Sequence, residues 1–225
     1  MTPARKERLV AKVAKDIVET RPGEIADACR KLYRTMAFQE ITLKDISRET
    51  SLSRPSIYNY FQTKEEIFLY ILEDEYREWG NSLEKILNEN DALGIEGFTT
   101  ELAASLRDRE TMLRIQCMNL YEIEENSREE RLVSFKKEYG RSRELISESL
   151  RKFFPMLTDE DRDFFIFEFF PFMYGIYPYA YPTAKQMAAM AKAGIKAMDI
   201  SITGLARRCV SDLLRSAING KEERG

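Results

Sequence analysis

Residues 42–67, TLKDISRETSLSRPSIYNYFQTKEEI, constrain the fold of this chain more than any other segment. Thr42 and Asp45 have the spacing of a capping box, which begins a helix. A tight turn separates this short helix from a second one that begins at Ser53, and a third helix begins at Thr63. Two short helices joined by a tight turn form the motif that places one helix in a DNA major groove and braces it with the other.

The other segments with a clear apolar period also indicate helices. Predicted helices cover roughly 4–19, 23–36, Thr63 to Leu87, 98–122, 128–153, 158–180, 183–193 and 200–218, with a loop at 88–97. Pro22-Gly23 and Asn219-Gly220 are predicted helix stops, and the pairs Thr63/Glu66 and Thr158/Asp161 repeat the capping box. No stretch alternates with period two for long enough to indicate a sheet, so the sequence predicts an all-α protein.

The composition narrows the class of protein. The chain has 225 residues, enough for one large domain or two small ones. No uncharged apolar run reaches about 18 residues, and the N-terminus lacks the apolar centre of a secretion signal. We therefore expect a cytoplasmic protein with no membrane partner.

Cysteine and histidine usage limits the chemistry. Cys29, Cys117 and Cys209 are far apart and odd in number, which disfavours a disulfide framework and a zinc knuckle. The chain has no histidine, so it has no His-dependent triad and lacks the commonest transition-metal ligand. We expect no cofactor and no metal.

The charge is distributed unevenly along the chain. Residues 1–64 carry 13 Lys and Arg against 8 Asp and Glu, whereas the remainder carries 22 against 30. A basic front end on an acidic body is typical of a nucleic-acid reader joined to a second function.

The polar residues of the 42–67 segment have the chemistry of DNA contacts. An apolar set with the spacing of packed helices consists of Leu43, Ile46, Leu52, Ile57 and Phe61. The residues between them would face outward; Ser, Arg and Asn can bond base edges, while Lys, Thr and Tyr can bond phosphate. The alternative is a plain three-helix core with a solvated polar face.

This segment resembles the DNA-binding domain of the TetR family of transcriptional regulators. The resemblance covers residues 24–70 and rests on ACRKLYRTMAF at 28–38, TLKDISRETSLSR at 42–54 and SIYNYFQTKEEIF at 56–68. It implies an all-α homodimer in which each subunit has a three-helix helix-turn-helix head and a helical body for ligand binding and dimerisation. It also implies that a small-molecule effector releases the protein from double-stranded DNA.

The resemblance also assigns DNA contacts. Phosphate contacts are expected from Thr42, Lys44, Tyr58, Tyr60 and Lys64. Residues at or near base edges are expected to be Ser53, Arg54, Ser56 and Asn59.

Three positions depart from the family, which often has glycine where this chain has Ala37, Ser51 and Pro55. Ala37 and Ser51 are therefore expected to have strained or altered turn geometry. Pro55 falls in the first turn of the recognition helix, where a missing N–H costs little.

The domain division predicted from these features has three parts. Residues 1–20 form an extension helix, 21–68 the helix-turn-helix head, and 69–225 the effector-binding and dimerisation body. The basic residues of the extension could reach DNA as an arm does, or its apolar stripe could pack on the body or on a partner subunit.

Residues 153–181 are rich in aromatic side chains, with Pro171 inside the run and expected to kink or break the helix. Glu168 is the lone charge among rings, so a partner or a proton is expected for it. One hypothesis is an effector pocket formed by Phe165, Glu168, Phe169 and Phe172 with Met112, Gln116 and Tyr121 opposite. The alternative is a plain aromatic core, with Glu168 paired to an arginine or at the rim of an interface.

The resemblance also suggests that the 158–180 helix and the last helix form a four-helix bundle with their counterparts across a two-fold axis. The function expected is a ligand-responsive regulator, most often a repressor in this family. The alternatives are a helical scaffold or ligand-sequestering dimer without specific DNA binding, and an enzyme using Glu168 or Cys117, for which no catalytic motif is present.

Overall fold

The computed structural model describes residues 20–222, all of whose regular elements are helices. In chain order these are 20–33 (α1), Leu43–Arg48 (α2), Arg54–Ile57 (α3), Lys64–Glu89 (α4), Ile95–Ser105 (α5), Glu110–Gln116 (α6), a π-helical stretch Asn119–Glu124, Glu129–Phe153 (α7), Asp159–Ala180 (α8), Ala184–Lys192 (α9) and Ile202–Glu222 (α10). The all-α prediction is confirmed. The helix predicted at 4–19 lies outside the described residues.

The single helix predicted at 98–122 is wrong, because three helical pieces occupy that span. α5 ends at Ser105, whose hydroxyl donates to the Leu102 carbonyl at 2.7 Å and accepts the Trp79 indole N–H at 2.9 Å. A serine that bonds the preceding turn and is itself anchored favours a helix end over continuation. No Gly or Pro marks this break, which is why the sequence pattern missed it.

The predicted stop at Asn219-Gly220 is wrong, because α10 continues through Gly220 to Glu222. The first described helix, 20–33, already includes Pro22 and Gly23, and the 4–19 helix that they were predicted to end lies outside the described residues. A glycine costs only about 1 kcal/mol in a helix interior, which neighbouring turns can offset.

Helix α8 is continuous through Pro171 and Pro178, so the chain does not break at Pro171. Its first turn has the predicted capping box, in which Thr158 and Asp161 satisfy each other's backbone N–H groups at 3.2 and 2.7 Å. Burial of Phe165 and Phe169 holds the helix in place despite the hydrogen bonds that proline removes.

The chain divides into two compact units. The head unit contains the chain as far as Ile71 together with Leu120–Leu132, and the body unit contains Leu72–Asn119 with the chain from Val133 onward. In the head, Phe68 is fully buried and its ring meets Tyr33 and Phe38 edge-on, each at 4.9 Å between centroids. This core fixes α1 and α4 around the two short helices.

The body core is built on the second half of α4. Tyr76 and Trp79 are fully buried, and the Tyr76 ring lies 5.4 Å from that of Phe135, while Trp79 lies 6.0 Å from Phe170. α10 packs on α5 and α8, and α6 packs on α8. No helix in the described part of the chain is both long and apolar enough to cross a membrane.

Candidate nucleic-acid interface and ligand site

The capping box that begins α2 is present as predicted. The Thr42 hydroxyl accepts the Asp45 N–H at 3.3 Å, and the Asp45 carboxylate accepts the Thr42 N–H at 3.2 Å. Leu43 and Ile46 are buried, so Lys44 is presented to solvent beside the cap.

Helix α3, the second short helix predicted from Ser53, has only four regular residues. Its regular part is Arg54–Ile57, and tighter turns continue the coil, with the Tyr60 N–H donating to the Ile57 carbonyl at 2.9 Å. Ser53 caps it by accepting the Ser56 N–H at 3.4 Å, and Pro55 occupies its first turn. Ile57 is fully buried and anchors the helix to the head.

The outer side of α3 presents an arginine that is held by a neighbouring tyrosine. The Arg54 guanidinium donates to the Tyr58 hydroxyl at 3.0 Å and lies 5.7 Å from the centre of its ring. Arg54, Tyr58 and the neighbouring Asn59 are exposed. An arginine held by a neighbour loses less side-chain entropy when it meets a partner, which suits recognition of a base or phosphate.

Two predicted contact residues have internal bonds as well. The Lys64 ammonium donates to the Phe38 carbonyl at 2.7 Å and lies 4.3 Å from the centre of the Phe38 ring. The Tyr60 carbonyl accepts the Arg131 guanidinium at 2.9 Å. Of the nine predicted DNA contacts, Ser56, Tyr60 and Lys64 are half-buried, and the exposed ones are Thr42, Lys44, Ser53, Arg54, Tyr58 and Asn59.

The turn between α2 and α3 is not strained in the way expected. Among the described residues no non-glycine has a positive φ, so Ala37 and Ser51 do not enter the left-handed region. Instead the Ser51 N–H donates a hydrogen bond to the Glu24 carboxylate at 2.6 Å, and the Ser51 hydroxyl accepts a hydrogen bond from the Arg21 guanidinium at 2.8 Å. Hydrogen bonding to Ser51 lowers the pKa of Glu24. A carboxylate from α1 therefore holds the turn at the position where the TetR family often has glycine.

The second predicted capping box is only half correct. The Thr63 hydroxyl accepts the Glu66 N–H at 3.2 Å, but the Glu66 carboxylate accepts the Gln62 N–H at 2.8 Å rather than that of Thr63. Glu66 is fully buried, and its carboxylate also accepts Arg128 Nε at 2.6 Å and Nη2 at 2.9 Å. Burial raises the pKa of Glu66, but the bonds from Arg128 and the two backbone N–H groups outweigh it, so the pKa lies below its usual value.

A second arginine of the same segment holds the end of the recognition helix. The Arg131 guanidinium lies 4.9 Å from the centre of the Phe61 ring while it donates to the Tyr60 carbonyl. Arg128 Nη2 reaches the same carbonyl at 3.4 Å. We call Glu66, Arg128, Arg131 and the Tyr60 carbonyl the arginine clamp. Sequence reasoning missed it because its two halves are more than sixty residues apart.

The predicted effector residues are not all brought together. Met112, Gln116, Phe165 and Phe169 are buried in the body unit and Phe172 is half-buried. Tyr121 is 87% exposed and belongs to the head unit. Glu168 is exposed, so the prediction that it is a lone charge buried among rings is wrong.

Gln116 is the buried polar group that α6 contributes to the body. Its Nε2 donates to the Tyr76 hydroxyl at 2.5 Å, while its Oε1 is buried and has no hydrogen-bond partner among the described residues. An unsatisfied buried acceptor costs about 1–3 kcal/mol, so its presence in a native structure calls for an explanation. The π-helical stretch that begins three residues later is another feature frequent at functional sites.

Two open apolar grooves lie elsewhere on the body unit. One, of about 630 Å³, is formed by the end of α8, α9 and residues 196–200. The other, of about 300 Å³, is lined by α8 from Pro171 to Tyr179 with Ile200 and Leu205, and Phe172 is the predicted effector residue that reaches it.

Comparison with known proteins gives matches over nearly the whole described chain. Residues 25–71 match the domain described as bacterial regulatory proteins, tetR family, and residues 73–220 match the tetracyclin repressor-like C-terminal domain. The chain is 31% identical to the uncharacterized HTH-type transcriptional regulator YfiR of Bacillus subtilis strain 168 over 143 residues, which is 63% of this chain and 69% of YfiR.

Two further similarities bear on function and fold. The HTH-type dhaKLM operon transcriptional activator DhaS of Lactococcus lactis subsp. lactis strain IL1403 is 31% identical over 83 residues, 37% of this chain and 40% of DhaS. The structure of the fatty acid degradation regulator FadR from Bacillus halodurans aligns with a TM-score of 0.54 at 15% identity, covering 85% of this chain and 97% of FadR.

Proposed function

Because this chain belongs to the TetR family of bacterial transcriptional regulators, we propose that it is a ligand-responsive repressor. It binds a near-palindromic operator as a homodimer in the cytoplasm, where the chromosome lies, and leaves the operator when a small molecule binds.

The observation that supports this most strongly is the outer side of α3. Arg54 and Asn59 are exposed there, the first already oriented by Tyr58, and the capped start of α2 presents Lys44 nearby in sequence. In the proposal, Arg54, Asn59, Ser53 and Ser56 read base edges, because Arg and Asn form the bidentate base contacts that distinguish guanine and adenine. The remaining predicted contacts, Thr42, Lys44, Tyr58, Tyr60 and Lys64, position the head on phosphates.

Selection of bound fragments from random and genomic DNA tests this proposal. We expect a two-fold symmetric sequence bound at submicromolar concentration, with affinity falling steeply as salt rises through counterion release. Arg54→Ala and Asn59→Ala should erode sequence preference, whereas Lys44→Ala should weaken all sequences similarly and reduce the salt dependence. If no sequence is enriched, specific operator binding is excluded.

The shortness of the recognition helix supports the proposal of a dimer. One short helix contacts few base pairs, and two-fold repetition doubles the contacts and selects a palindrome. We place the dimer face on α8 and α10 of the 69–225 body. α8 supports this placement, because Phe164 and Phe167 are 58% and 73% exposed there in the single chain.

We place the effector next to Gln116, between α6 and α8, with Met112, Phe165 and Phe169 as apolar neighbours. The unpartnered Gln116 Oε1 would accept a hydrogen bond from a hydroxyl, amide or ammonium group of the ligand. A thermal-shift screen of small molecules supplies ligands, and Gln116→Leu should weaken binding of a true effector by at least about ten-fold.

Thr99→Val is the matched control for this substitution. Thr99 is also buried in the body, and its side-chain oxygen has no hydrogen-bond partner in the part of the chain that the structure describes, so its replacement removes a similar polar atom at another place. Equal responses of both variants to the effector would exclude a ligand contact at Gln116.

The arginine clamp supplies a route from effector to operator. Residues 120–132 belong to the head unit and contain most of the π-helical stretch and the first turn of α7, and in sequence they follow α6 closely. A shift of α6 on ligand binding would move Arg128 and Arg131, and with them the Tyr60 carbonyl at the end of the recognition helix.

The sign of regulation needs its own experiment, because the relative DhaS is an activator. Deleting the gene should raise transcription from the operator identified by selection, and adding the effector should do the same in the intact strain. A fall in transcription on deletion would show activation and would leave operator binding in place.

A further inference from the structure

Helix α9 is only loosely packed within the described part of the chain. It comprises nine residues, Ala184–Lys192, and none of them is buried. Isolated helices shorter than about 12–15 residues are marginal in water, so a helix of this length needs packing against something else. Its start is well defined, since the Thr183 N–H donates to the Gln186 side chain at 2.7 Å and the Gln186 N–H donates to the Thr183 hydroxyl at 3.2 Å. Gly194, with φ of 68°, then turns the chain away.

The inner side of α9 forms an apolar groove. Met187, Ala189 and Met190 line it from α9, and Tyr179 and Ile200 join it to the second groove along α8. The side chain of Lys196 is the one formally charged group in the lining of the two grooves as described. Methionine is common on surfaces that receive another protein's apolar side chains, because its side chain adapts to their shape.

The same part of the chain exposes more apolar surface than a lone subunit usually does. Of the twelve large apolar side chains exposed among the described residues, seven fall between Phe164 and Met198. Together they expose on the order of 800 Å², which is the area each partner of a stable protein pair typically buries.

The exposed rings and the groove are arranged symmetrically along α8. Phe164 and Phe167 precede Pro171 by seven and four positions, and Tyr179 and Gly175 follow it by eight and four. All lie on one stripe of the helix. In a two-fold pair, a residue before the axis on one helix meets a residue after it on the other. An axis near Pro171 would therefore bring the rings of one subunit to the groove of its partner.

We infer that α9 with residues 194–200 is an arm that closes over a second copy of this chain, with the partner subunit's Phe164 and Phe167 seated in the groove between the arm and α8. This inference rests on the proposed homodimer and adds to it a contact that α8 and α10 alone would not make. Occupation by a second copy accounts for both the loosely packed helix and the exposed rings.

The test compares two adjacent alanines of α9. Both are exposed in the single chain, but Ala189 lines the groove and Ala188 does not. Glutamate forms helices well, so Ala189→Glu and Ala188→Glu should each preserve the arm. We expect Ala189→Glu to raise the dimer dissociation constant by about ten-fold or more, because it buries a charge, and Ala188→Glu to change it by less than about two-fold. Sedimentation equilibrium measures both.

The Phe167→Glu variant shows whether a negative result contradicts the arm alone or the homodimer as well. If wild-type protein sediments as a monomer, the homodimer and the arm are both excluded. If Phe167→Glu dissociates the dimer while Ala189→Glu behaves like Ala188→Glu, the homodimer stands and the arm is excluded. If neither Phe167→Glu nor Ala189→Glu affects association, another surface dimerises and the arm is again excluded.

Methionine oxidation gives a second readout that does not depend on a variant. Met187 and Met198 are 38% and 77% exposed in the single chain and should become protected from peroxide as concentration rises through the dimer transition. Unchanged oxidation rates would contradict the arm. Protection by a co-purifying small molecule, with dimerisation unaffected by Ala189→Glu, would assign the groove to that molecule instead.

Discussion

Replacing Arg128 with alanine should destabilise the head unit by about 2 kcal/mol. Breaking a buried ion pair typically costs about 3–5 kcal/mol, because it leaves an uncompensated charge. Here the Glu66 carboxylate is fully buried, but it keeps the N–H groups of Gln62 and of residue 128 itself. The Arg128 side chain is 40% exposed, so water already screens part of the attraction. Both facts place the cost below the usual range.

The assay is reversible thermal unfolding together with amide hydrogen exchange. If unfolding is two-state, about 2 kcal/mol corresponds to roughly 4–8 °C in melting temperature for a chain of this length. Exchange should quicken locally at the Tyr60 and Phe61 amides, since Arg128 supports the turn that contains them. Arg107→Ala is the control, because Arg107 is exposed and should change stability by less than about 0.5 kcal/mol.

The pH dependence gives an independent check. The pKa of Glu66 is lowered in the folded protein, so its contribution to stability is present above the unfolded pKa of about 4.3 and is lost as pH falls through the folded value. The stability difference between wild type and Arg128→Ala should therefore be constant near neutral pH and shrink below about pH 4.

A double-mutant cycle decides whether the pair is the cause. Arg128→Ala and Glu66→Gln should be non-additive by about 1–2 kcal/mol, since each removes the same interaction. Additive effects, or a difference between wild type and Arg128→Ala that does not change with pH, would refute the reasoning.

Three further predictions follow from local geometry. Thr42→Ala should cost about 1 kcal/mol in the free energy of unfolding, because it removes the cap of α2, and urea unfolding should detect it. Cys29 should resist iodoacetamide at pH 8 in the native protein and react after denaturation, because burial raises its pKa to about 12; rapid native alkylation in a mass-spectrometric time course would contradict this. Glu24→Gln should weaken the turn at Ser51, and below about pH 4 its stability should approach that of wild type, because the pKa of Glu24 is lowered in the fold.

Local signals in the sequence predicted much of the fold. The capping boxes at Thr42 and Thr158 place two helix starts correctly, because the interacting groups are three residues apart and depend on nothing else. The family resemblance supplied the head and the class of the body. Amphipathic periods located most of the remaining helices within a few residues.

Long-range contacts are what the sequence could not supply. Glu66 has the position of a capping residue, and only the fold reveals that Arg128 competes for its carboxylate. Ser51 stands where the TetR family often has glycine, and only the approach of α1 brings Glu24 to its N–H. Similarly, the sequence shows that α8 is rich in apolar rings. It does not show which of these rings remain exposed in a single subunit.

The head unit is assembled from two stretches of chain that are distant in sequence, and this limits how the protein can be divided. A fragment ending at Ile71 would retain Glu66 in an apolar setting without Arg128, and the Tyr60 carbonyl without either of its arginine donors. The part of the head unit that ends at Ile71 is consequently not an independent folding unit. Chimaeras that graft it onto another body must carry residues 120–132 with it, or supply equivalent cations from the new host.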